Sequence, residues 1–268
     1  MIVLTSPAEI AFKIHNFPIY YYGIILGLAA FFGFYFSYFI TKKYYKEINP
    51  EILYDIIPFV ILSGIICARL YYCALNFDYY IANPHEIFNT RQGGLAIHGG
   101  ILGGLIFGCI YAYLKKLPLL KLTDISTYGL ILAQIIGRWG NFFNNEAYGQ
   151  PTSKFIAVYI PKADRIQGYE YFSYFQPTFL YESVCNLLIL LFLFFVIRKY
   201  SKNFDGLIFA SYLILYSIVR YIIESVRLDC IANIGTLHLP QFVSIIMFLC
   251  GIILICYQLY TKNKQNHQ

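Results

Sequence analysis

The chain consists of long apolar stretches separated by short polar connections. A membrane-spanning helix needs about 20 mostly apolar residues, and seven windows meet this requirement: 18–40, 54–75, 95–114, 123–139, 178–197, 206–226 and 240–260. The pattern predicts an all-α, polytopic membrane protein with seven transmembrane helices. We expect residues 1–268 to form a single integral membrane domain.

One connection, 140–177, is much longer than the others. It alternates polar and apolar residues around three prolines, a pattern in which short strands can form. The sequence predicts a small arm inserted between the fourth and fifth helices rather than a second domain.

The basic residues are distributed unequally between the two sides of the membrane. Eleven lysines and arginines follow spans 1, 3, 5 and 7, whereas seven lie on the other side, three of them in the long connection. Long connections carry little weight in the positive-inside rule, which therefore predicts an N-terminus outside and a C-terminus in the cytoplasm. The arm is then extracytoplasmic. No removable signal peptide is visible, so the first helix is expected to be its own targeting signal.

Composition supports the membrane class. Of 268 residues, 59% are apolar and only 13% are charged, against roughly 25% charged in soluble domains. The net charge of +6 resides in short runs between apolar stretches, which indicates topology signals and no nucleic-acid partner. The seven cysteines form no CxxC pair, so neither a disulfide framework nor a zinc site is predicted. No metal or other cofactor is expected.

Ionisable residues inside a membrane require a reason, because an unpaired charge there costs several kcal/mol. Arg220, Glu224 and Arg227 are spaced to share one helical face at the outer end of the sixth span. An excess of arginine over carboxylate in a wet pocket at headgroup depth suits an anionic phosphate. This pattern predicts an anionic phospholipid as ligand. Arg69, in the second span, either snorkels to the interface or joins such a pocket.

Two further segments place polar groups at the predicted outer surface. In GRWGNFFNNEAYG, residues 137–149, Arg138 and Asn141 are three apart on one helical face, and Glu146 can pair with an arginine. His98 is flanked by glycines in GGLAIHGGILGG, which leaves its ring accessible. Histidine ordinarily titrates near a pKa of about 6.5, so His98 is either a proton-transfer group or a satisfied hydrogen-bonding residue.

The first of these motifs carries a resemblance to a known family. GRWGNFFNNEAYG fits the signature G-R-x-G-N-F-x-N-x-E-x-x-G of prolipoprotein diacylglyceryl transferases. YYG at 21–23, GGLAIHGG at 93–100, QPTFLYES at 176–183 and RYIIESVRLD at 220–229 follow in the family's order. The chain resembles this family over most of its length.

This resemblance implies a bacterial transferase of the plasma (inner) membrane. Such an enzyme transfers the diacylglyceryl group of phosphatidylglycerol to the thiol of the lipobox cysteine in a preprolipoprotein, forming a thioether and releasing glycerol phosphate. Phosphatidylglycerol, lipobox-containing preprolipoproteins and membrane lipids are the partners implied.

The resemblance also implies roles for individual residues. The expected catalytic residues are Tyr22, His98 and Arg220, with Arg220 as the second essential arginine. The expected substrate-binding residues, with Arg138 on the phosphatidylglycerol headgroup, are Arg138, Asn141, Glu146, Glu224 and Arg227. Gln176 departs from the pattern, since many members have histidine before the proline, and no role is carried over to it.

Two other classes of function are alternatives. A transporter or flippase of an anionic solute or lipid also needs arginines in a wet cavity, but it predicts a polar path through the inner half and often a repeat, and the sequence has neither. A phosphatidyltransferase needs a metal-binding aspartate cluster, and an O-acyltransferase needs a His and Asp pair; neither pattern is found.

Overall fold

The computed structural model describes residues 1–90, 93–201, 204–229 and 233–266, and it is mostly helical. The α-helices are α1 (Tyr21–Tyr44), α2 (Ile52–Leu75), α3 (Phe77–Ala82), α4 (Ile97–Leu114), α5 (Leu119–Phe143), α6 (Thr178–Phe192), α7 (Arg198–Ser201), α8 (Leu207–Glu224) and α9 (Leu239–Asn266). The strands are β1 (Ile2–Thr5), β2 (Ile10–Ile14), β3 (Phe17–Tyr20), β4 (Ile156–Tyr159), β5 (Tyr174–Phe175), β6 (Asn233–Ile234) and β7 (Leu237–His238). A π-helical segment, Leu193–Ile197, joins α6 to α7.

Six helices among the described residues are long and apolar enough to cross a membrane. They are Tyr21–Tyr44, Ile52–Leu75, Leu119–Phe143, Thr178–Ser201, Leu207–Glu224 and Leu239–Lys262. The third predicted window corresponds to a shorter apolar helix, His98–Leu114. The prediction of a polytopic helical membrane protein is confirmed, whereas the count of seven spans stays a prediction.

The all-α prediction is incomplete, because short strands form outside the long helices. Strand β1 pairs in parallel with β4, with Ile2 opposite Ile156, and β4 pairs antiparallel with β5. The hydrophobic pattern predicts no element within residues 1–17. A four-residue apolar strand carries no clear periodicity of its own, and its partner lies about 150 residues away along the chain.

The chain divides into two compact units, and each is described separately. The first comprises Met1–Ser37 and Thr123–Gln268, and the second comprises Tyr38–Leu122. The single membrane domain expected from the sequence stays a prediction.

The predicted arm belongs to the first unit and has an apolar core. Its buried residues are Tyr148, Val158, Ile160 and Phe175, and Phe179 of α6 packs in the same cluster. Helix α5 continues to Phe143, so the predicted start of the arm at residue 140 lies within the helix. The extra turn carries Asn141 on helical backbone.

Arg165 and Tyr148 hold the arm together through backbone groups. The Arg165 guanidinium donates to the carbonyls of Ile160, at 2.9 Å, and Glu170, at 2.7 Å. The Tyr148 hydroxyl accepts the N–H of Ile166 and donates to the Asp164 carbonyl. Burial raises the pKa of Tyr148, so its hydroxyl stays protonated and keeps both hydrogen bonds at neutral pH.

In the second unit, α2 and α4 pack through small residues. The four-residue spacing of Gly99 and Gly103 predicts close approach of a neighbouring backbone. A Cβ added at Gly103 would lie 2.5 Å from the Cys67 Cβ and 2.8 Å from the Ser63 carbonyl oxygen. The prediction of close packing is confirmed at Gly103.

Arg69 has a structural role in this unit. It is buried, and its guanidinium donates to five backbone carbonyls at 2.6–3.2 Å, those of Glu86, Ile87, Asn89, Gly93 and Gly94. An arginine has five N–H donors, and the five carbonyls match them in number. Snorkelling is therefore the wrong interpretation of Arg69, because the side chain fastens the segment before α4 to α2.

In the first unit, Asp124 of α5 caps α8. The first N–H groups of a helix lack partners within the helix, and Gly206, which precedes α8 with a φ of 85°, has no side chain to supply one. The Asp124 carboxylate accepts the N–H groups of Gly206 and Phe209, both at 2.8 Å. A residue of one helix thereby fixes the start of the helix that carries Arg220.

We expect Asp124→Ala to lower the free energy of unfolding by about 2 kcal/mol, because the N–H groups of Gly206, which is buried, and Phe209, which is partly buried, lose their acceptor. Asp124→Asn keeps one acceptor oxygen and should lose less. Thermal unfolding in detergent measures both, with the exposed Asp78→Ala as control. Equal melting temperatures for the two Asp124 variants and the control would contradict the capping role.

Candidate functional site: an arginine and carboxylate network

The site begins where α5 ends. After Phe143 the chain turns through Asn145 and Ala147, whose φ values of 51° and 56° lie in the left-handed region. Such values are uncommon for residues with a Cβ, and the turn is held by hydrogen bonds. Asn145 donates to the Asp164 carboxylate at 2.9 Å, and the Thr178 hydroxyl donates to the Ala147 carbonyl.

This turn brings Glu146 back to the last turn of α5. The Asn141 amide donates to Glu146 Oε1 at 2.7 Å and accepts from Arg138 Nη1 at 3.4 Å. The predicted pairing of Glu146 with an arginine is not what the described contacts show. Asn141 lies between the two side chains and links them.

Glu182 of α6 joins two arginines from different helices. Its side chain is 2% exposed. One carboxylate oxygen, Oε1, pairs with Arg138 Nη2, and the other, Oε2, lies 3.2 Å from Arg220 Nη1. The Tyr216 hydroxyl of α8 lies 3.4 Å from Oε1. The two arginines therefore meet at one buried carboxylate.

The residues Arg220, Glu224 and Arg227, which the sequence predicts on one face of the sixth span, continue the network. Arg220 Nη2 lies 2.8 Å from Glu224 Oε2, and Arg227 Nε lies 3.8 Å from the same oxygen. Helix α8 ends at Glu224, so Arg227 is not on the helical face that the spacing predicted. Arg227 forms its shortest pair, 2.5 Å, with Asp229 in the following segment.

These contacts correct the prediction of an arginine excess. Within the described part of the chain, Arg138, Arg220 and Arg227 pair directly with Glu182, Glu224 and Asp229, so the formal charges of these direct ion pairs balance. Burying three uncompensated guanidinium groups would cost far more than pairing them. The arginines nevertheless remain accessible, since the side chains of Arg138 and Arg220 are 21% and 15% exposed.

The electrostatics of Arg227 show how the carboxylates stabilise the cations. Burial acts to lower the pKa of this guanidinium, but the hydrogen bonds and charge of Asp229, with the charge of Glu224, outweigh it and raise the pKa. Arg227 thus stays charged in a largely dry position.

Tyr22, in the first turn of α1, lies beside the last turns of α5. A Cβ added at Gly140 would stand 2.8 Å from the Tyr22 ring, so a glycine is required for this contact. The neighbouring Tyr21 stacks on Phe143, with ring centroids 4.5 Å apart. Gly140 and Tyr22 therefore pack together at the end of α5 that carries Arg138.

His98 belongs to the second unit. It lies in the first turn of α4 and is exposed, as its flanking glycines predict. Its described ring contact is Tyr71, with centroids 6.5 Å apart. Gln176, which departs from the family pattern, uses its backbone in the arm, where its N–H donates to the Gln150 carbonyl.

Sequence reasoning missed two members of the network. Glu182 is a carboxylate in an apolar stretch, and its position in QPTFLYES was the available signal, but no partner could be assigned to it. Asp229 closes RYIIESVRLD, and a spacing of two residues from Arg227 gave no reason to pair them.

Taken together, the fold and the network define a polytopic helical membrane protein with paired arginines and carboxylates drawn from α5, α6 and α8. The family model described as prolipoprotein diacylglyceryl transferase matches residues 9–257 of this chain. The chain belongs to that family.

Individual relatives agree over nearly the whole chain. A phosphatidylglycerol–prolipoprotein diacylglyceryl transferase of Acaryochloris marina is 39% identical over 94% of this chain and 90% of the relative. Proteins of the same name from Clostridium novyi and Gloeobacter violaceus are 40% and 37% identical, over 92% and 98% of this chain and 94% and 95% of the relatives.

Proposed function

We propose that the protein transfers the diacylglyceryl group of phosphatidylglycerol to the thiol of a lipobox cysteine in a preprolipoprotein. Family membership supports the reaction, and one structural observation supports the site: Arg138 and Arg220 contact the same buried carboxylate. Two guanidinium groups held together in this way can both reach one phosphodiester.

Phosphate recognition is the first task of the site. Guanidinium groups bind phosphate oxygens through parallel N–H donors. The Glu182 carboxylate uses Nη2 of Arg138 and Nη1 of Arg220, and the other terminal nitrogens contact Asn141 and Glu224, so a bound phosphate shares these donors with them. We assign the phosphatidylglycerol headgroup to Arg138 and the departing phosphate to Arg138 and Arg220 together. Such preorganised charge is the largest contribution in many active sites.

The chemical step is a displacement at carbon. The cysteine thiolate attacks the glyceryl carbon that bears the phosphate ester, a C–S bond forms, and the C–O bond breaks with its electrons going to the phosphate. The products are the thioether and glycerol phosphate. A free thiol has a pKa of about 8.5, so a base must take its proton, and we assign this role to His98 or a neighbouring group.

The remaining residues of the network position these groups. Asn141 and Glu146 orient Arg138 through their chain of hydrogen bonds, and Glu224 and Arg227 hold Arg220. Tyr22, packed on Gly140, supports the same end of α5 and places its hydroxyl at the substrate.

The site implies an arrangement in the membrane. We propose seven spans, with α4 as the additional one, an N-terminus outside and a C-terminus in the cytoplasm of a bacterial plasma membrane. The α5 C-terminus, the arm and the arginine network then belong to the extracytoplasmic side, within reach of outer-leaflet phosphatidylglycerol.

Purified protein in vesicles tests this function. The vesicles contain phosphatidylglycerol labelled in its acyl chains, and a lipobox peptide is added with either cysteine or serine at the acceptor position. We expect label on the cysteine peptide alone, together with released glycerol phosphate. Label that moves between leaflets without reaching the peptide would instead support a flippase, and no movement of label would exclude both functions.

A further inference from the structure

A β-hairpin precedes the first membrane-spanning helix in the first unit. Strands β2 and β3 pair antiparallel, with Phe12 opposite Ile19, Lys13 opposite Pro18 and Ile14 opposite Phe17. Only His15 and Asn16 form the turn, with His15 at a φ of 54°. The proposed transfer reaction assigns no role to this hairpin.

The two faces of the hairpin differ in polarity. Residues directly opposite each other in an antiparallel pair share a face, so Phe12, Ile14, Phe17 and Ile19 lie on one side and Lys13 lies on the other. Phe12 and Ile14 are 52% and 54% exposed. Exposed apolar groups that form a continuous surface mark a site of interaction.

The position of the hairpin indicates what covers this surface. The N–H of Tyr21, the first residue of α1, donates to the Glu9 carbonyl at 2.9 Å, and β3 runs into α1 without a linker. Since α1 is long and apolar enough to span a membrane, the hairpin starts at the depth where that span leaves the hydrocarbon. A segment that is apolar on one face and basic on the other partitions into such an interface.

We propose that the hairpin Ile10–Tyr20 is a membrane-interface anchor, with its Phe12 and Ile14 face inserted among phospholipid glycerol and upper acyl-chain groups. Lys13, on the opposite face, lies at the level of the lipid phosphates. The hairpin then fixes the depth of the α1 N-terminus, where Tyr22 lies.

Tryptophan fluorescence tests this depth directly. The chain has one tryptophan, so Trp139→Phe gives a silent background into which Phe12→Trp or Ile14→Trp is introduced. The variants are reconstituted in phosphatidylcholine and phosphatidylglycerol vesicles whose acyl chains are brominated either near the headgroup or near the bilayer centre. Phe31→Trp, at an exposed position of α1 about 15 Å further along the helix, is the matched deep control, and aqueous iodide reports exposure to water.

We expect shallow bromines to quench the tryptophan introduced at position 12 or 14 about twofold more than deep bromines, with the order reversed at position 31. Iodide should quench positions 12 and 14 weakly. Strong iodide quenching without bromine quenching would place the hairpin in water and overturn the proposal. Protection from both quenchers would overturn it too, since a second copy or another protein segment would then cover the face. The Ile14 variant answers the same question if the Phe12 variant fails to fold.

Discussion

Arg220→Lys is expected to lower kcat/KM for diacylglyceryl transfer by about 100-fold while the protein remains folded. The substitution keeps the positive charge but loses the planar fork. In the native site Nη1 reaches Glu182 at 3.2 Å and Nη2 reaches Glu224 at 2.8 Å. A single ammonium cannot hold both carboxylates and also present donors to a phosphate. The vesicle transfer assay measures the loss, with melting temperature in detergent as the check on folding.

Arg198→Lys is the matched control for this change. Arg198 donates to the Phe194 carbonyl at 3.0 Å and follows Glu182 by four to five helical turns, which corresponds to about 24 Å along a helix. We expect its activity within about twofold of the unaltered protein. If Arg220→Lys matched this control, Arg220 would have no part in binding the phosphate.

The architecture and the main arginines could be predicted because depth in a membrane is readable from a sequence. Each predicted window coincides with a helix, and groups at the same end of several spans share one layer of the bilayer. Arg138 and Arg220 fall at the same predicted end of different spans, which is why their convergence could be expected from the sequence.

Partners across the chain could not be predicted in the same way. Depth does not specify which helices are neighbours, so the contact of Glu182 with both arginines and the charge balance of the network were missed. The role of Arg69 was left open because its acceptors are backbone carbonyls, which no side-chain pattern reveals. Strands β1 and β4 pair although they lie far apart in the sequence, and local periodicity does not indicate which distant segments pair.

Glu182→Gln is expected to separate binding from turnover. Removing this charge leaves Arg138 and Arg220 close together without the buried carboxylate that pairs with both. Breaking a buried ion pair by removing one partner costs about 3 kcal/mol of folding free energy. The freed guanidinium groups should attract the lipid phosphate more strongly, so KM for phosphatidylglycerol falls. Because the tighter contact applies to the ground state and to the departing glycerol phosphate, kcat should fall by about tenfold or more.

Glu170→Gln makes the same chemical change on the arm. Hydrogen bonds from its own N–H and from that of Gly168 lower the pKa of Glu170, so this control also removes an ionised carboxylate, and it should leave both constants unchanged. Initial rates over a range of phosphatidylglycerol fractions, taken below the melting temperature of the Glu182 variant, give KM and kcat separately. A KM that rises in proportion to the loss of kcat/KM, with kcat intact, would show that Glu182 assists binding directly. In that case the Glu182 carboxylate does not compete with the lipid phosphate for Arg138 and Arg220. Another residue would then have to hold the two arginines close enough to bind one phosphate.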